Sequence, residues 1–110
     1  MENSEVDLEK VKRIFFIGIG GIGMSALARY FHQSGSIVTG YDKTETVLTK
    51  KLVEEGIRIS YVDQIEILDK AADLVVYTPA IPKDHLGWNW YQENLFPVYK
   101  RAEILGMISH

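Results

Sequence analysis

Residues 13 to 28 read RIFFIGIGGIGMSALA, and the fold of the chain is built around them. An apolar run leads into a cluster of glycines, and a helix-compatible run follows. Gly18, Gly20 and Gly23 fit the pattern G-x-G-x-x-G. In this pattern the first glycine permits a sharp turn off a strand, the second lets a phosphate approach the backbone, and the third lets the helix pack on the strand. Since the helix also directs free N–H groups and its dipole at this point, a nucleotide diphosphate is the expected ligand.

The glycine pattern alone is weak evidence, because glycines also serve ordinary tight turns. Its context strengthens it. A second strand-like run spans residues 36 to 41. Asp42 follows it directly and lies 19 positions after Gly23. An acidic residue at about this spacing commonly binds the ribose of a nucleotide. The alternative for Asp42 is a helix N-cap or a solvated loop carboxylate.

The composition is that of an ordinary globular domain. The chain has 110 residues, of which 46% are hydrophobic and 25% are charged. The net charge of −3 gives no support for a nucleic-acid surface. There is no cysteine, which excludes disulfides and thiolate chemistry. Since neither a signal peptide nor a membrane-length apolar run is present, we expect a cytoplasmic protein with no membrane partner.

Strand-like and helix-like runs alternate along the chain, which predicts an α/β fold. Strands are expected at 13–17, 36–41, 57–61, 73–77 and 97–99, and helices at 22–33, 45–55, 84–94 and from 101. We predict a Rossmann-like three-layer domain over residues 13–110, with a five-stranded parallel sheet in the order 3-2-1-4-5. Residues 1–12 are expected to form a flexible lead-in.

Several side chains carry both a functional and a structural interpretation. The Ser25 hydroxyl reaches either a phosphate or only the local backbone. Thr78 either meets the edge of a base or simply ends the fourth strand. Arg101, beside Lys100, either neutralises phosphate charge or is a solvated helix start. We favour the second interpretation. The histidines and the segment Trp88–Tyr91 are interpreted structurally: His32, His85 and His110 lack metal-ligand spacing, and the aromatic residues are expected to pack on the sheet.

Residue spacing also predicts how two of the helical segments are capped. Asp42 or Thr44 is expected to cap the helix that begins near residue 45. Asp63 and Glu66 have the spacing of a capping box and suggest a helical turn between residues 63 and 69. No Ser/His/Asp or paired-carboxylate constellation stands out, so no catalytic residue is assigned.

Four segments together resemble the N-terminal domain of the Mur ligases, in the branch that joins L-alanine to UDP-N-acetylmuramate. They are GIGGIGMS (18–25), GYD (40–42), TPAI (78–81) and RAEIL (101–105). The resemblance implies a domain that holds the UDP moiety in cytoplasmic peptidoglycan synthesis, with ATP and magnesium bound by a later domain and no cofactor in this one. It places the diphosphate on the glycine segment, the ribose near Asp42 and the uracil near the 78–81 segment. The implied binding residues are Gly18, Gly20, Gly21, Ile22, Gly23, Met24, Ser25, Asp42, Thr78, Pro79, Ala80 and Ile81.

The chain departs from this family at some positions. It contains no G-x-x-x-x-G-K-[ST] phosphate loop, so we expect a first domain alone, inactive by itself. Many relatives have Ser at the position of Tyr41, and some have His at about the position of Asp63. The alternatives are an NAD-binding domain of an oxidoreductase, a regulatory nucleotide-sensing domain, and the related ligase that recycles murein peptides.

Overall fold

Parallel pairing of five short strands forms the centre of the molecule. The computed structural model describes residues 6–109. The strands are β1 (Arg13–Ile17), β2 (Ile37–Tyr41), β3 (Arg58–Ser60), β4 (Leu74–Tyr77) and β5 (Val98–Lys100). Their order is β3-β2-β1-β4-β5, and every pairing is parallel. The predicted fold class and strand order are therefore confirmed.

Four α-helices connect and cover the strands. They are α1 (Ile22–Gln33), α2 (Val47–Glu54), α3 (Leu86–Glu93) and α4 (Arg101–Ile108), and short 3-10 helices lie at Leu8–Lys10 and Ile65–Ile67. The helices α1, α2 and α3 start and end within two residues of the predicted bounds, α4 starts at the predicted residue, and the 3-10 helix at Leu8–Lys10 was not predicted. None of the helices in residues 6–109 is long and apolar enough to cross a membrane.

The apolar run of β1 is buried on both faces of the sheet. Ile14 and Phe16 face a core that includes Leu27, Leu52 and Ile104. Phe15 and Ile17 point to the other side, into a core that includes Val75 and Tyr91. Because successive strand residues alternate between faces, a continuous apolar run is what a doubly covered central strand requires.

The second core contains several aromatic side chains. Tyr91 is fully buried, its ring centroid lies 5.5 Å from that of Phe15, and its hydroxyl donates to the Asp69 carbonyl at 2.9 Å. Trp88 packs against Tyr77 with 5.7 Å between ring centroids. The expected packing of the Trp88–Tyr91 segment on the sheet is confirmed.

Two local capping predictions were wrong. The N-cap of α2 is Thr46, whose hydroxyl accepts from Thr49 N at 3.1 Å while Thr49 Oγ1 accepts from Thr46 N at 2.8 Å. Asp63 caps no helix at its own position. Its carboxylate instead accepts from Leu86 N at 2.7 Å and Gly87 N at 3.1 Å, in the first turn of α3. Local spacing could not show this, because the fold brings Asp63 beside a helix 23 residues further along the chain.

The start of the chain is more structured than expected where it is described. Residues 1–5, like His110, lie outside the described residues. Leu8–Lys10 form a 3-10 helix capped by Asp7, whose Oδ1 accepts from Glu9 N at 3.1 Å. Val11 is buried in the core beneath α1. This part of the expected flexible lead-in is therefore packed on the domain.

Candidate functional site

The carboxyl ends of three neighbouring strands lie level with one another. In the parallel register, Ile17 of β1 is paired with Tyr41 of β2 on one side and with Tyr77 of β4 on the other. The segments that follow these strands therefore meet at one edge of the sheet. They are the glycine loop (residues 18–23), Asp42 with Lys43, and the 78–81 turn, in which Ile81 N donates to Thr78 O at 3.2 Å.

A cleft of about 300 Å³ opens between these three segments. The predicted site residues Gly18, Gly21, Met24, Asp42, Thr78, Ala80 and Ile81 line it, together with Tyr41, Lys43, Pro82 and His85. The other predicted residues, Gly20, Ile22, Gly23, Ser25 and Pro79, do not. Pro79 borders a neighbouring cavity of about 290 Å³ with Tyr77, Trp88 and Lys100.

Gly18 turns the chain off β1 in a conformation that favours glycine. Its φ is +90°, and a Cβ at this position would lie 2.6 Å from Thr78 Cγ2. The N–H groups of Gly18 and Ile19 both donate to Tyr41 O, at 2.8 and 3.0 Å. The sharp turn expected at Gly18 is therefore present, and it is tied to the end of β2.

Gly20 also has a structural reason to lack a side chain, besides the phosphate approach that the motif predicts. Its N–H donates to Asp42 Oδ2 at 2.7 Å, and a Cβ would lie 2.6 Å from that oxygen and 2.9 Å from Thr49 Cγ2. The other Asp42 oxygen, Oδ1, accepts from Thr44 N at 3.2 Å. Asp42 is thus not the N-cap of α2, and its partly exposed carboxylate anchors the glycine loop.

Gly23 likewise lies close to a side chain from a distant part of the sequence. The three heavy atoms nearest to a Cβ at Gly23 all belong to Arg101, with Nη1 at 2.8 Å and Cζ at 2.9 Å. Arg101 is the first residue of α4 and is half-buried. Arg101 is therefore the helix start that the sequence favoured, but it is only partly solvated because its guanidinium lies close to Gly23. The close packing of α1 on the strand at Gly23 stays a prediction, because the three nearest atoms do not test it.

The start of α1 has no side-chain cap. Its N-cap is Gly21, and no acidic residue lies in its first turn. Ser25 is buried, and its hydroxyl donates to Ile22 O at 2.9 Å. Of the two predicted roles of Ser25, the structure therefore shows the hydrogen bond to the local backbone. The N–H groups in the first turn of α1 have no side-chain acceptor.

His85 forms a buried part of the cleft wall. Only 3% of it is exposed, and its Nδ1 accepts from Trp88 N at 3.0 Å, which places the ring proton on Nε2. Nε2 lies 3.4 Å from Asp63 Oδ1, too far for a strong hydrogen bond. Burial lowers the pKa of His85, against the opposing effect of Asp63 and Asp84. The imidazole therefore stays neutral at neutral pH.

Tyr41 completes this wall. Its ring meets that of His85 edge-on, with 4.8 Å between centroids and 66° between planes. Burial and the carboxylates of Asp63 and Asp42 raise the pKa of the Tyr41 phenol, so its hydroxyl keeps its proton at neutral pH. Tyr41, His85 and Asp63 thus form one connected unit at this end of the cleft.

A family model described as the Mur ligase family, catalytic domain, matches residues 13–110. The chain belongs to the Mur ligase family. It is 47% identical over 110 residues to the UDP-N-acetylmuramate–L-alanine ligase of Phocaeicola vulgatus, covering 96% of this chain and 24% of that protein. The Mur ligase chain thus spans about a quarter of the length of the curated relatives it matches.

Solved structures of Mur ligases share the fold. The UDP-N-acetylmuramate–alanine ligase of Thermotoga maritima matches with a TM-score of 0.80 and 33% identity, covering 84% of this chain and 21% of that one. A murein peptide ligase of Psychrobacter arcticus matches with a TM-score of 0.72 and 26% identity, covering 79% and 18%.

A larger groove of about 650 Å³ lies elsewhere on this Mur ligase domain. It separates β2 and β3 from the connection that carries the Ile65–Ile67 3-10 helix, and Arg13, Arg58 and Asp69 are among the residues that line it. None of the glycine-loop residues borders it, so size alone does not identify the nucleotide site. The described residues also contain no group of three or more His, Asp or Glu side chains arranged to hold a metal ion.

Sequence analysis missed several residues of the Mur ligase cleft. Lys43 follows Asp42 at the carboxyl end of β2, so its position at this edge was available from the strand prediction. His85 was interpreted correctly as a local structural residue, but its burial in the cleft wall was not foreseen. Histidine is not a usual N-cap residue, and this hid its role at α3. The place of Arg101 had no signal in the sequence, because its contact with Gly23 exists only in the folded chain.

Proposed function

We propose that this chain holds the UDP moiety of UDP-N-acetylmuramate, as the substrate-binding part of an ATP-dependent ligase that adds L-alanine in cytoplasmic peptidoglycan synthesis. The observation that carries the proposal is that the glycine loop, Asp42 and the 78–81 turn line one cleft. The names of the relatives specify the sugar nucleotide. At about 300 Å³, the cleft lies at the lower end of the range for small-molecule sites.

The diphosphate is assigned to the glycine loop and the start of α1, residues 18 to 25. The first turn of α1 has no acidic residue and no side-chain cap, so its N–H groups are available to an anion. The positive end of the helix dipole adds to the attraction. We assign this contact to backbone N–H groups, since the Ser25 hydroxyl already donates to Ile22 O.

The ribose is assigned to Asp42. An ionised carboxylate offers about four acceptor positions, and Asp42 uses two of them for Gly20 N and Thr44 N. The remaining positions are free to accept from ribose hydroxyls. In this arrangement the same side chain shapes the glycine loop and binds the ligand, which couples the two parts of the cleft.

The uracil is assigned to the far end of the cleft. Thr78, Ala80 and Ile81 of the turn line the cleft together with Tyr41, and Pro79 lies between Thr78 and Ala80 in the chain. Aromatic faces stack on nucleobases with little dependence on base identity. Hydrogen-bonding groups of the turn therefore have to supply the selectivity for uracil.

The chain alone is expected to bind its ligand without forming a peptide bond. Ligation has to bring a carboxylate, ATP and an amine together. The sequence has no P-loop, and residues 6–109 hold no acidic cluster for magnesium. We therefore place ATP, magnesium and the chemical step on the remaining domains of a full-length ligase, the expected partners of this chain.

The test is an NMR titration of the chain with UDP-N-acetylmuramate, UDP and NAD in parallel. We expect the largest shifts in residues 18–25, Asp42 and residues 78–81 with both uridine nucleotides, and no phosphate release from ATP plus L-alanine. Shifts with NAD and none with a uridine nucleotide would replace the proposal with an oxidoreductase domain.

The murein peptide ligase remains the second candidate within the family. It shares 26% identity in its solved structure, against 33% for the alanine ligase. A full-length enzyme that carries this chain should be assayed with L-alanine and with a murein peptide as the amine or peptide substrate. We expect faster turnover with L-alanine. Turnover with the murein peptide and none with L-alanine would reverse the assignment.

A further inference from the structure

The guanidinium of Arg101 occupies the space that a side chain at Gly23 would fill. A Cβ on Gly23 would lie 2.8 Å from Nη1, 2.9 Å from Cζ and 3.2 Å from Nε. The flat guanidinium therefore lies directly against the backbone of the first turn of α1. The end of β5 and the start of α4 thus bring a permanent positive charge to the part of the glycine loop where α1 begins.

This positive charge lacks a counter-charge in the described part of the chain. The ion pairs among residues 6–109 do not include Arg101, and no hydrogen bond from its guanidinium to another described residue is found. Glu103, the acidic residue in the first turn of α4, is engaged by Lys100 N at 2.8 Å. Asp42, the acidic residue at the loop, holds Gly20 N and Thr44 N.

Two positive features therefore lie close together, and neither has an acidic side chain as partner among the described residues. The start of α1 carries the positive end of the helix dipole, and its first turn has no acidic side chain. A guanidinium placed beside it is electrostatically unfavourable unless a negative group joins both. A phosphate does this well, because its oxygens accept from the helix N–H groups and from the guanidinium fork together.

We propose that Arg101 is a diphosphate-binding residue and that glycine is required at position 23 to seat its guanidinium. The ligand class is a nucleoside diphosphate derivative, so the inference rests on the proposed function and adds a residue to it. Arginine fits this position better than lysine, because a planar fork lies flat on a glycine backbone and still presents two parallel donors to a phosphate.

The first test compares Arg101→Gln with Arg58→Gln in titrations with UDP and with uridine at constant ionic strength. Arg58 is a suitable control, since it is exposed and lines the separate 650 Å³ groove. We expect Arg101→Gln to weaken UDP binding by about 10- to 100-fold, the range for losing hydrogen bonds to a charged group, and to leave uridine binding unchanged. Arg58→Gln should change neither.

Failure of the inference and failure of the proposed function give different results. If the unmodified chain does not bind UDP, the proposed function fails, and the inference fails with it. If the unmodified chain binds UDP and a folded Arg101→Gln variant binds it equally well, only the inference is overturned. Equal losses for UDP and uridine would also overturn it, because they would show a general effect on the cleft.

The second test is a double-mutant cycle between positions 23 and 101. Ala suits a helix, and the end of the Arg101 side chain can move aside, so Gly23→Ala is expected to fold. It should displace the guanidinium and weaken UDP binding about as much as Arg101→Gln does. The double variant should then bind no more weakly than either single one. Additive losses would show that Gly23 contacts the phosphate independently of Arg101 and would refute the seating role.

Discussion

The backbone N–H of Gly20 donates a 2.7 Å hydrogen bond to Oδ2 of Asp42, which joins the glycine loop after β1 to the end of β2. Gly18 N and Ile19 N make the same connection through Tyr41 O, at 2.8 and 3.0 Å. Three bonds therefore hold the loop to the neighbouring strand without any ligand. A loop shaped in advance loses less conformational freedom when a nucleotide binds.

Replacement of Asp42 by Ala should weaken both the loop and the ligand site. We expect UDP affinity to fall by about 0.5–3 kcal/mol and the free energy of unfolding to fall by about 1 kcal/mol, because Gly20 N loses a charged acceptor. Calorimetric titration and urea unfolding measure the two effects. Asp42→Asn is the control, since its amide oxygen still accepts from Gly20 N and should preserve more stability. Unchanged UDP affinity in Asp42→Ala would remove Asp42 from the ligand site.

Replacement of Gly18 by Ala should destabilise the fold. The φ of +90° disfavours any Cβ, and this one would also meet Thr78 Cγ2 at 2.6 Å. We expect a loss of about 1–3 kcal/mol in urea unfolding from backbone strain and crowding. Adding Thr78→Ser removes that methyl group, so it should restore only the crowding part of the loss. An alanine variant as stable as the unmodified chain would show that the turn is not constrained.

Replacement of Gly21 by Val should spare the fold and impair binding. Gly21 has a φ of −65°, and the nearest heavy atom to a Cβ here is 3.8 Å away, so the branched side chain has room. It would project toward the cleft, where we place the diphosphate. We expect UDP binding to weaken by at least about tenfold, or about 1.4 kcal/mol. Circular dichroism checks folding, and normal UDP binding by a folded variant would contradict the phosphate role of the loop.

The stability of the domain should depend on pH through His85. Burial lowers its pKa in the folded state below the ordinary value of 6.5, so the unfolded chain binds more protons as the pH falls through that value. The free energy of unfolding should therefore decrease on acidification from about pH 8 to about pH 5, by at most about 1.4 kcal/mol per pH unit from this group.

His85→Asn isolates this contribution. Asn is a favoured N-cap residue and does not titrate. It should therefore preserve the cap of α3 and remove the contribution of position 85 to the pH dependence of stability. Urea unfolding across this pH range should show the unmodified chain losing stability relative to the variant as the pH falls. A difference that stays constant with pH would show that His85 does not titrate on unfolding.

Replacement of Leu95 by Gly should stabilise the domain. Leu95 follows the C-cap of α3 with a φ of 61°, a left-handed conformation in which a non-glycine residue is strained, and it is 90% exposed. Relief of the strain exceeds the loss of the few contacts that so exposed a side chain makes. We expect a gain of up to about 1 kcal/mol in thermal or urea unfolding. Leu95→Ala keeps the Cβ and should change stability little. Equal gains from Leu95→Gly and Leu95→Ala would show that backbone strain is not the cause.

Much of the fold was predictable because its signals are local or follow general rules. The apolar run at residues 14–17 indicated a strand buried on both faces, and the structure buries all four side chains completely. Alternating strands and helices then restricted the sheet to parallel crossovers, from which the order 3-2-1-4-5 followed. The glycines after β1 and the acid after β2 placed the candidate cleft at the carboxyl edge.

The sequence by itself determined the order of the elements, the burial of the central strand and the edge at which the candidate site lies. Only the tertiary structure decided what each side chain there contacts. Asp63 reaches the first turn of α3, Asp42 holds Gly20, and Arg101 lies against Gly23. These partners are 22 to 78 positions apart in the chain. Periodicity and motif spacing report neighbours within a few residues, whereas such contacts exist only once the packed sheet has brought distant segments together.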